Sequence, residues 1–459
     1  MPTHDIVVIG GGTAGLVIAA GAAALGARVA LIERERLGGD CLWTGCVPSK
    51  ALIAFARRSR SGPPGSPWPG AIGWLESARE RIARHDDPAR FREMGVDVVS
   101  GPARLVGPGR VDVNGRRFDA SRLVVATGAA PALPAIEGLA AVGYVTHRTA
   151  FDQKALPASF TMIGGGPIAV ELALTYARLG AKVTVLEHRQ EILPREDPEV
   201  GRLIRECLVH EGICVRTGVR VRRVAREGEA KVAYGEAGER FASSELFVAV
   251  GRGPEVTDLA LERAGVELDH GAVRVDERLR TTQRGIWAAG DVTGGPQFTH
   301  AAEDMARVVV QNALTPVPTR VDYRLVPRVT FTDPEVAAVG LTAGEATAAG
   351  VRCEVSRYQF GDLDRAIVDG AGMGFCKVVT GRGGKILGAT IVGRGAGELI
   401  ATVVLAMRHG IPLPRLASAI YPYPTMGEIV KRTAQQWYRA RYGDTWRGRL
   451  LRRLIRLWL

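Results

Sequence analysis

Residues 4–15 read HDIVVIGGGTAG. A short apolar run meets a cluster of glycines and passes into an alanine- and leucine-rich stretch, the pattern of a strand, a tight turn and a helix. Gly10, Gly12 and Gly15 keep the G-x-G-x-x-G spacing. Glycine at such a turn lets backbone N–H groups approach a pyrophosphate, and the helix N-terminus favours its negative charge. Glu33 follows Gly15 by 18 residues, after the apolar run ARVALI. A carboxylate at that strand end accepts hydrogen bonds from a ribose. Glycines alone are a weak signal, but strand, turn, helix and terminal acid together specify a dinucleotide-binding unit.

The pattern recurs at residues 160–187, FTMIGGGPIAVELALTYARLGAKVTVLE. Gly164, Gly166 and Ala169 repeat the spacing, Pro167 suits the first helical position, and Glu187 again follows the third member by 18 residues. Two dinucleotide sites in one chain imply electron transfer from one cofactor to the other. Glu187 suits a free 2′-hydroxyl and repels a 2′-phosphate, which favours NADH over NADPH, with Arg189 nearby acting against that preference.

The totals agree with a multidomain enzyme. The chain has 459 residues, too many for one core, with 46% apolar and 24% charged residues. Six cysteines in that length do not make a disulfide scaffold. Net charge is +12, but residues 431–459 hold nine Lys or Arg against one acid, so the body is nearly balanced. The uncharged run from Ile6 to Ala27 is preceded by Asp5 and broken by Gly10-Gly11-Gly12, which reads against a signal peptide or a spanning helix.

Residues 38–50, GGDCLWTGCVPSK, hold two cysteines, Cys41 and Cys46. A structural zinc site wants four ligands, and no second Cys or His pair has suitable spacing, so no metal is expected at rest. Two residues five apart in a regular helix differ by about 7.5 Å in rise, whereas disulfide Cα atoms lie within about 6.8 Å. A bridge therefore needs a broken helix start, for which Gly45 and Pro48 are suited. Structural bridge, buried thiols and working disulfide all remain open on spacing alone.

CLWTGCVPSK resembles the redox-active segment of the flavin-dependent pyridine nucleotide–disulfide oxidoreductases, which include glutathione reductase, dihydrolipoamide dehydrogenase and mercuric reductase. Further segments carry the likeness: VVATGAAP (124–131), AVGRGP (249–254), WAAGDV (287–292), FTHAAED (298–304) and VPRVTFTDPEVAAVGLT (326–342). The resemblance implies an α/β fold with two Rossmann-like dinucleotide-binding domains and a C-terminal α+β dimerisation domain. It implies boundaries at 1–145 and 271–320 for FAD, 146–270 for NAD(P) and 321–459 for the interface of a homodimer. The linker-like stretch SGPPGSPWPG (61–70) reads as a surface loop.

The implied chemistry is a relay from NADH through FAD to a Cys41–Cys46 disulfide, with Cys46 toward the flavin and Cys41 as the exposed interchange thiol. Gly39, Asp40, Ala103, Thr127, Gly128, Asp291 and His300 fall at positions implied to contact FAD, and Gly251 at the strand end behind the nicotinamide domain. Lys50 and Glu171 match a buried Lys–Glu pair beside the flavin. Most of the family takes a His–Glu pair from the dimer partner through H-P-T-x-x-E. Here YPTMGE (423–428) keeps Glu428 but places Tyr423 where histidine is expected. A tyrosine there, with GGGPIAVELA and LDRAIVDG (363–370), is most similar to the mercuric reductase branch. That branch relays mercury through a C-terminal cysteine pair, and no cysteine follows Cys376 here, which argues against efficient Hg(II) reduction. GGDC in place of the common GGTC is a further departure.

In the tail RGRLLRRLIRLWL, Leu450, Leu451, Leu454, Ile455 and Trp458 share one helical face, opposite Arg449, Arg452, Arg453 and Arg456. This suits a helix on an anionic membrane surface or one packed on the dimer, and not nucleic acid, for which no motif is present. The resulting expectation is a cytoplasmic reductase of a disulfide or soft metal ion, with a peripheral membrane contact through residues 447–459. An NADH oxidase or quinone reductase, a dihydrolipoamide dehydrogenase-like enzyme and a membrane-surface redox sensor are its rivals.

Overall fold

The computed structural model describes residues 2–59, 67–443 and 445–459. Most of the expected loop at 61–70 lies outside them. The chain forms two compact units. One comprises the residues up to Gly164 with Thr175–Leu186 and Val219–Tyr323, and the other Gly165–Leu174, Glu187–Gly218 and the residues from Arg324 on.

The first unit is built on strand β1 (His4–Ile9), whose last four residues are buried. Helix α1 (Thr13–Ala24) follows, then β2 (Val29–Glu33), helices α2 (Gly39–Trp43) and α3 (Cys46–Ser59), β3 (Val96–Ser100), β4 (Ala103–Gly107), β5 (Arg110–Val113) and β6 (Arg116–Val125). One sheet runs β3-β2-β1-β6-β5-β4, with strand Ile286–Ala288 also paired to β6. Its β3-β2-β1-β6 part is parallel, while β4-β5-β6 is antiparallel. Apolar residues cover both sheet faces, so β1 and β2 read as continuous rather than alternating apolar runs. On one face α1 packs with helix Thr299–Leu314, and Ile18, Ala19 and Ala22 are fully buried between them.

The glycines of the first turn have separate jobs. Gly10 has φ +106°, and a Cβ there would overlap the Ala126 carbonyl. A Cβ on Gly15 would overlap the carbonyl of Gly10, so only glycine lets the helix pack this close to the turn. The second parallel sheet repeats the device. Strand Ser159–Ile163 pairs with Lys182–Glu187 and with Glu245–Val248. Gly164 has φ +112°, and a Cβ there would overlap the Ala249 carbonyl.

The second unit contains a five-stranded antiparallel sheet in the order Arg328–Thr330, Glu335–Gly340, Ile386–Gly393, Phe375–Thr380 and Glu354–Gln359. Helices Ala396–Arg408 and Glu428–Tyr442 bury Ile400, Val403, Ile429 and Trp437 against Val378 and Ile391. Among the described residues no helix is long and apolar enough to cross a membrane.

Candidate active site

The redox segment sits where the spacing argument required a broken helix. α2 ends at Thr44, which leaves helical geometry at φ −136°, and α3 restarts at Cys46. Between them Gly45 lies against the turn, where a Cβ would come within 2.7 Å of the Asp40 carbonyl oxygen. Cys41 and Cys46 are thiols in this structure. Their sulfurs share one partner, the Thr299 hydroxyl, 3.3 Å from Cys41 Sγ and 3.4 Å from Cys46 Sγ. The Cys46 sulfur and burial push the Cys41 thiol upward, and the Thr299 hydroxyl pulls it back. Cys41 is half-buried and Cys46 is exposed. Cys41 lies inside the closed turn, whereas Cys46 heads a new helix.

The first glycine turn packs against the start of α2. Gly39 faces Gly12, and a Cβ on Gly39 would come within 2.8 Å of the Gly12 Cα. Gly12 itself is uncrowded: its Cβ would meet only Gly39 Cα, at 3.9 Å. Nothing in the chain needs glycine at 12 for space, but a phosphate approaching the N-terminus of α1 does, and no side chain caps that helix end. Glu33 is held by its own turn, accepting from Gly11 N–H at 2.6 Å and Glu35 N–H at 2.7 Å. Thr127 donates to the Glu255 carbonyl at 2.6 Å, and the neighbouring Gly128 has φ +75°. His300 stacks on Phe298, with ring centroids 5.3 Å apart. Ala103 opens β4 and is buried in the core.

Asp40 and Asp291 share a guanidinium. Arg252, which follows Gly251 at φ +132°, donates to Asp40 Oδ2 at 3.0 Å and pairs with Asp291 Oδ2 at 2.7 Å. Burial alone would raise the Asp40 carboxyl, but His147, Arg148 and Arg252 outweigh it and hold it down at about 2. At Asp291 burial wins and pushes the carboxyl above its ordinary range despite Arg252. Thr299, Arg252, His147 and Arg148 were missed in the sequence. The first two lie in segments quoted above, but only as a helix start and a strand end.

In the second unit Glu187 repeats Glu33. Its buried carboxylate accepts from Gly165 N–H at 2.7 Å and Arg189 N–H at 2.8 Å, with His188 Nδ1 2.9 Å away. A Cβ on Gly166 would meet nothing within 4 Å, the same open position as Gly12. Glu171 is buried and accepts from Phe331 N–H at 2.8 Å, and Lys50 lies in the first turns of α3. Tyr423 is 68% exposed and its hydroxyl is hydrogen-bonded to Asp364, which raises its pKa. Glu428 is 5% exposed, with Oε1 3.7 Å from Arg432 and Oε2 buried without a hydrogen-bond partner.

Comparison with known proteins agrees with this geometry. Residues 4–306 match the pyridine nucleotide-disulphide oxidoreductase family model, and residues 326–434 match that family's dimerisation domain. The chain is 35% identical over 456 residues to a mercuric reductase of Streptomyces lividans, covering 94% of this chain and 96% of that protein. It is 33% identical over 461 residues to a dihydrolipoyl dehydrogenase of Thermus scotoductus, covering 95% and 97%. Among solved structures, the Cu(II) complex of the HOCl-induced flavoprotein disulfide reductase RclA from Escherichia coli superposes with a TM-score of 0.87 at 30% identity, covering 93% of this chain and 98% of that one. Two glycine turns with tethered carboxylates, paired cysteines at a helix break and near full-length likeness lead to one conclusion: the chain belongs to the pyridine nucleotide-disulphide oxidoreductases, FAD-dependent homodimeric enzymes that use a pyridine nucleotide.

Proposed function

We propose that this enzyme passes two electrons from NADH, by way of FAD, to a Cys41–Cys46 disulfide and on to a thiol-reactive acceptor, a soft metal ion or a disulfide. The observation that carries the reading is the single hydroxyl of Thr299 touching both sulfurs at a helix break. Residues 1–145 and 271–320 would hold FAD, 146–270 the nicotinamide nucleotide and 321–459 the dimer interface. Bound FAD supplies a two-electron carrier. The chain supplies the rest. The α1 N-terminus and Gly12 bind phosphate, and Glu33 is positioned for a ribose.

A hydride equivalent breaks the S–S bond with two electrons and leaves one proton, so one sulfur ends as thiol and the other as thiolate. Cys46 heads a 14-residue helix whose N-terminus favours the thiolate. Cys41, whose thiol is pushed upward, keeps the proton and faces the acceptor. Thiolates suit soft metal ions, in keeping with the mercuric reductases and the Cu(II)-bound RclA among its relatives. Tyr423 and Glu428 would serve the partner subunit's thiols, with Tyr423 as a hydrogen-bond donor rather than a proton shuttle. NADH is favoured because Glu187 presents a fixed carboxylate where NADPH carries a 2′-phosphate.

Anaerobic NADH titration tests the relay. A long-wavelength thiolate–flavin absorption band should appear and vanish in Cys46→Ser. Full NADH turnover in Cys41→Ser would instead support an oxidase or quinone reductase with idle cysteines. Turnover with Hg(II), Cu(II), glutathione disulfide, lipoamide and quinones identifies the acceptor.

The proposal includes a peripheral contact with an anionic membrane. Helix Trp446–Trp458 is capped by Thr445, whose hydroxyl accepts from Gly448 N–H at 3.2 Å. Leu450, Leu451, Leu454, Ile455 and Trp458 are all exposed along one face, and the helix carries arginines but no acid. The enzyme should co-sediment with phosphatidylglycerol vesicles but not phosphatidylcholine vesicles, and lose this on deletion of 446–459. A deletion that instead splits the dimer, with no vesicle binding before or after, would assign the helix to the second copy.

A further inference from the structure

We infer that Asp40 is a positioning residue for the redox turn: its carboxylate ties the segment bearing Cys41 to Arg252, Arg148 and His147, and so sets how readily the two sulfurs bridge. The inference rests on the reading of Cys41 and Cys46 as a working disulfide.

The backbone of Asp40 closes the turn. Its carbonyl accepts from Thr44 N–H at 3.0 Å, and Gly45 packs on the same oxygen. The side chain then anchors that turn to distant parts of the chain. Asp40 Oδ2 lies 3.0 Å from Arg252 Nη2 and 3.6 Å from His147 Nε2, and Oδ1 lies 3.5 Å from Arg148 Nε. Thr44 adds a hydroxyl donor to Oδ1 at 3.2 Å. Arg148 is fixed in turn by donating to the Ala129 carbonyl at 3.2 Å. Arg252 is fixed by Asp291 and by strand Arg252–Pro254, which pairs with Ala129–Pro131.

The basic groups depend on this carboxylate. Among the described residues, the buried atoms His147 Nε2, Arg148 Nε and Arg252 Nε find no hydrogen-bond partner. Removing the Asp40 charge leaves two half-buried arginines and a buried histidine with Asp291 as the remaining carboxylate of the cluster. Like charges held this close favour moving apart once the carboxylate between them is gone. The threonine of the common GGTC pattern has a shorter side chain and no charge, so it could not make these ion pairs.

The consequence falls on the cysteines. A disulfide forms intramolecularly to the extent that the fold keeps its two sulfurs close, which is an effective concentration. Loosening the 40–45 turn lowers it and shifts the pair toward two thiols. The reaction to follow is the exchange of two protein thiols with one glutathione disulfide, giving the protein disulfide and two glutathione molecules.

The test equilibrates the FAD-loaded dimer in glutathione redox buffers without NADH and measures the bridged fraction by thiol alkylation and mass. Asp40→Asn should shift the equilibrium about tenfold toward the dithiol, or ~30 mV in the two-electron potential. Arg252→Gln should shift it in the same direction. The double variant should lie within about twofold of the larger single effect, the signature of residues acting through one contact. An Asp40→Asn equilibrium within about twofold of wild type, or two effects that multiply, overturns the inference. Arg148→Gln, which removes another cation that anchors Asp40, keeps the question answerable if Asp40→Asn does not fold: no shift toward the dithiol in either arginine variant refutes the role. A wild-type pair that stays reduced in every buffer would refute the disulfide reading itself, an outcome distinct from any failure of Asp40.

Discussion

Gly164 and Gly166 stand two residues apart in the same turn, yet alanine at each should do different things. Gly164 has φ +112°, and a Cβ there would overlap the Ala249 carbonyl, so Gly164→Ala must strain or displace the strand behind the turn. A left-handed backbone alone costs a non-glycine residue about 1–2 kcal/mol, and the overlap adds to it. Gly166→Ala meets nothing within 4 Å, so the fold should be untouched. What a methyl group at 166 obstructs is the close approach of a pyrophosphate to the N-terminus of helix Pro167–Arg178. Losing one charge-assisted hydrogen bond costs about 1.5–3 kcal/mol, or roughly 10- to 100-fold in affinity. Gly166→Ala should therefore keep the wild-type melting temperature and FAD content while its KM for NADH rises by that factor. Stopped-flow flavin reduction at varied NADH measures the affinity directly. The reasoning fails if Gly166→Ala binds NADH normally, or if Gly164→Ala melts like the wild type.

Three further outcomes follow from other contacts. Glu187→Ala removes the fixed carboxylate, so the ratio of kcat/KM for NADH over NADPH should fall about tenfold, chiefly by loss of the ribose contact and relief of phosphate repulsion. Thr299→Val deletes the hydroxyl shared by both sulfurs; the pH at which thiolate–flavin absorption develops should rise by about one unit, while melting temperature changes little. Asp40 is held at about 2 against an ordinary 3.8, so it contributes stability that is complete above 3.8 and lost as pH falls through 2. Asp40→Asn should cost about 2 kcal/mol at neutral pH, with the difference from wild type closing by about pH 2 in denaturant titrations.

The two glycine turns were legible because their determinants are local. Gly10 and Gly164 need positive φ for reasons fixed by the next strand of the same sheet, and Glu33 and Glu187 sit at strand ends set by the helix length between. Even the tether is local in pattern: Gly11 to Glu33 and Gly165 to Glu187 span the same 22 residues. The helix break between Cys41 and Cys46 was legible too, because five residues of regular helix separate Cα atoms too far for a bridge. Asp40 was not. Its partners stand at 147, 148 and 252, and nothing in GGDC points to them. Thr299 was likewise hidden, since a threonine opening a helix reads as a capping residue until its hydroxyl is seen between two sulfurs.

Arg252 shows why such residues matter beyond their own contacts. Its two terminal nitrogens divide between Asp40, beside Cys41, and Asp291, in the segment WAAGDV, at 3.0 and 2.7 Å. One planar fork therefore fixes the spacing of two carboxylates that come from opposite ends of the unit's sequence. A lysine would bring the same charge as a single point and could not hold both in place. Burial raises the Asp291 carboxyl, whereas the cations hold the Asp40 carboxyl down, so the pair is asymmetric. The geometry thus ties the Cys41 turn to the Asp291 segment through one guanidinium.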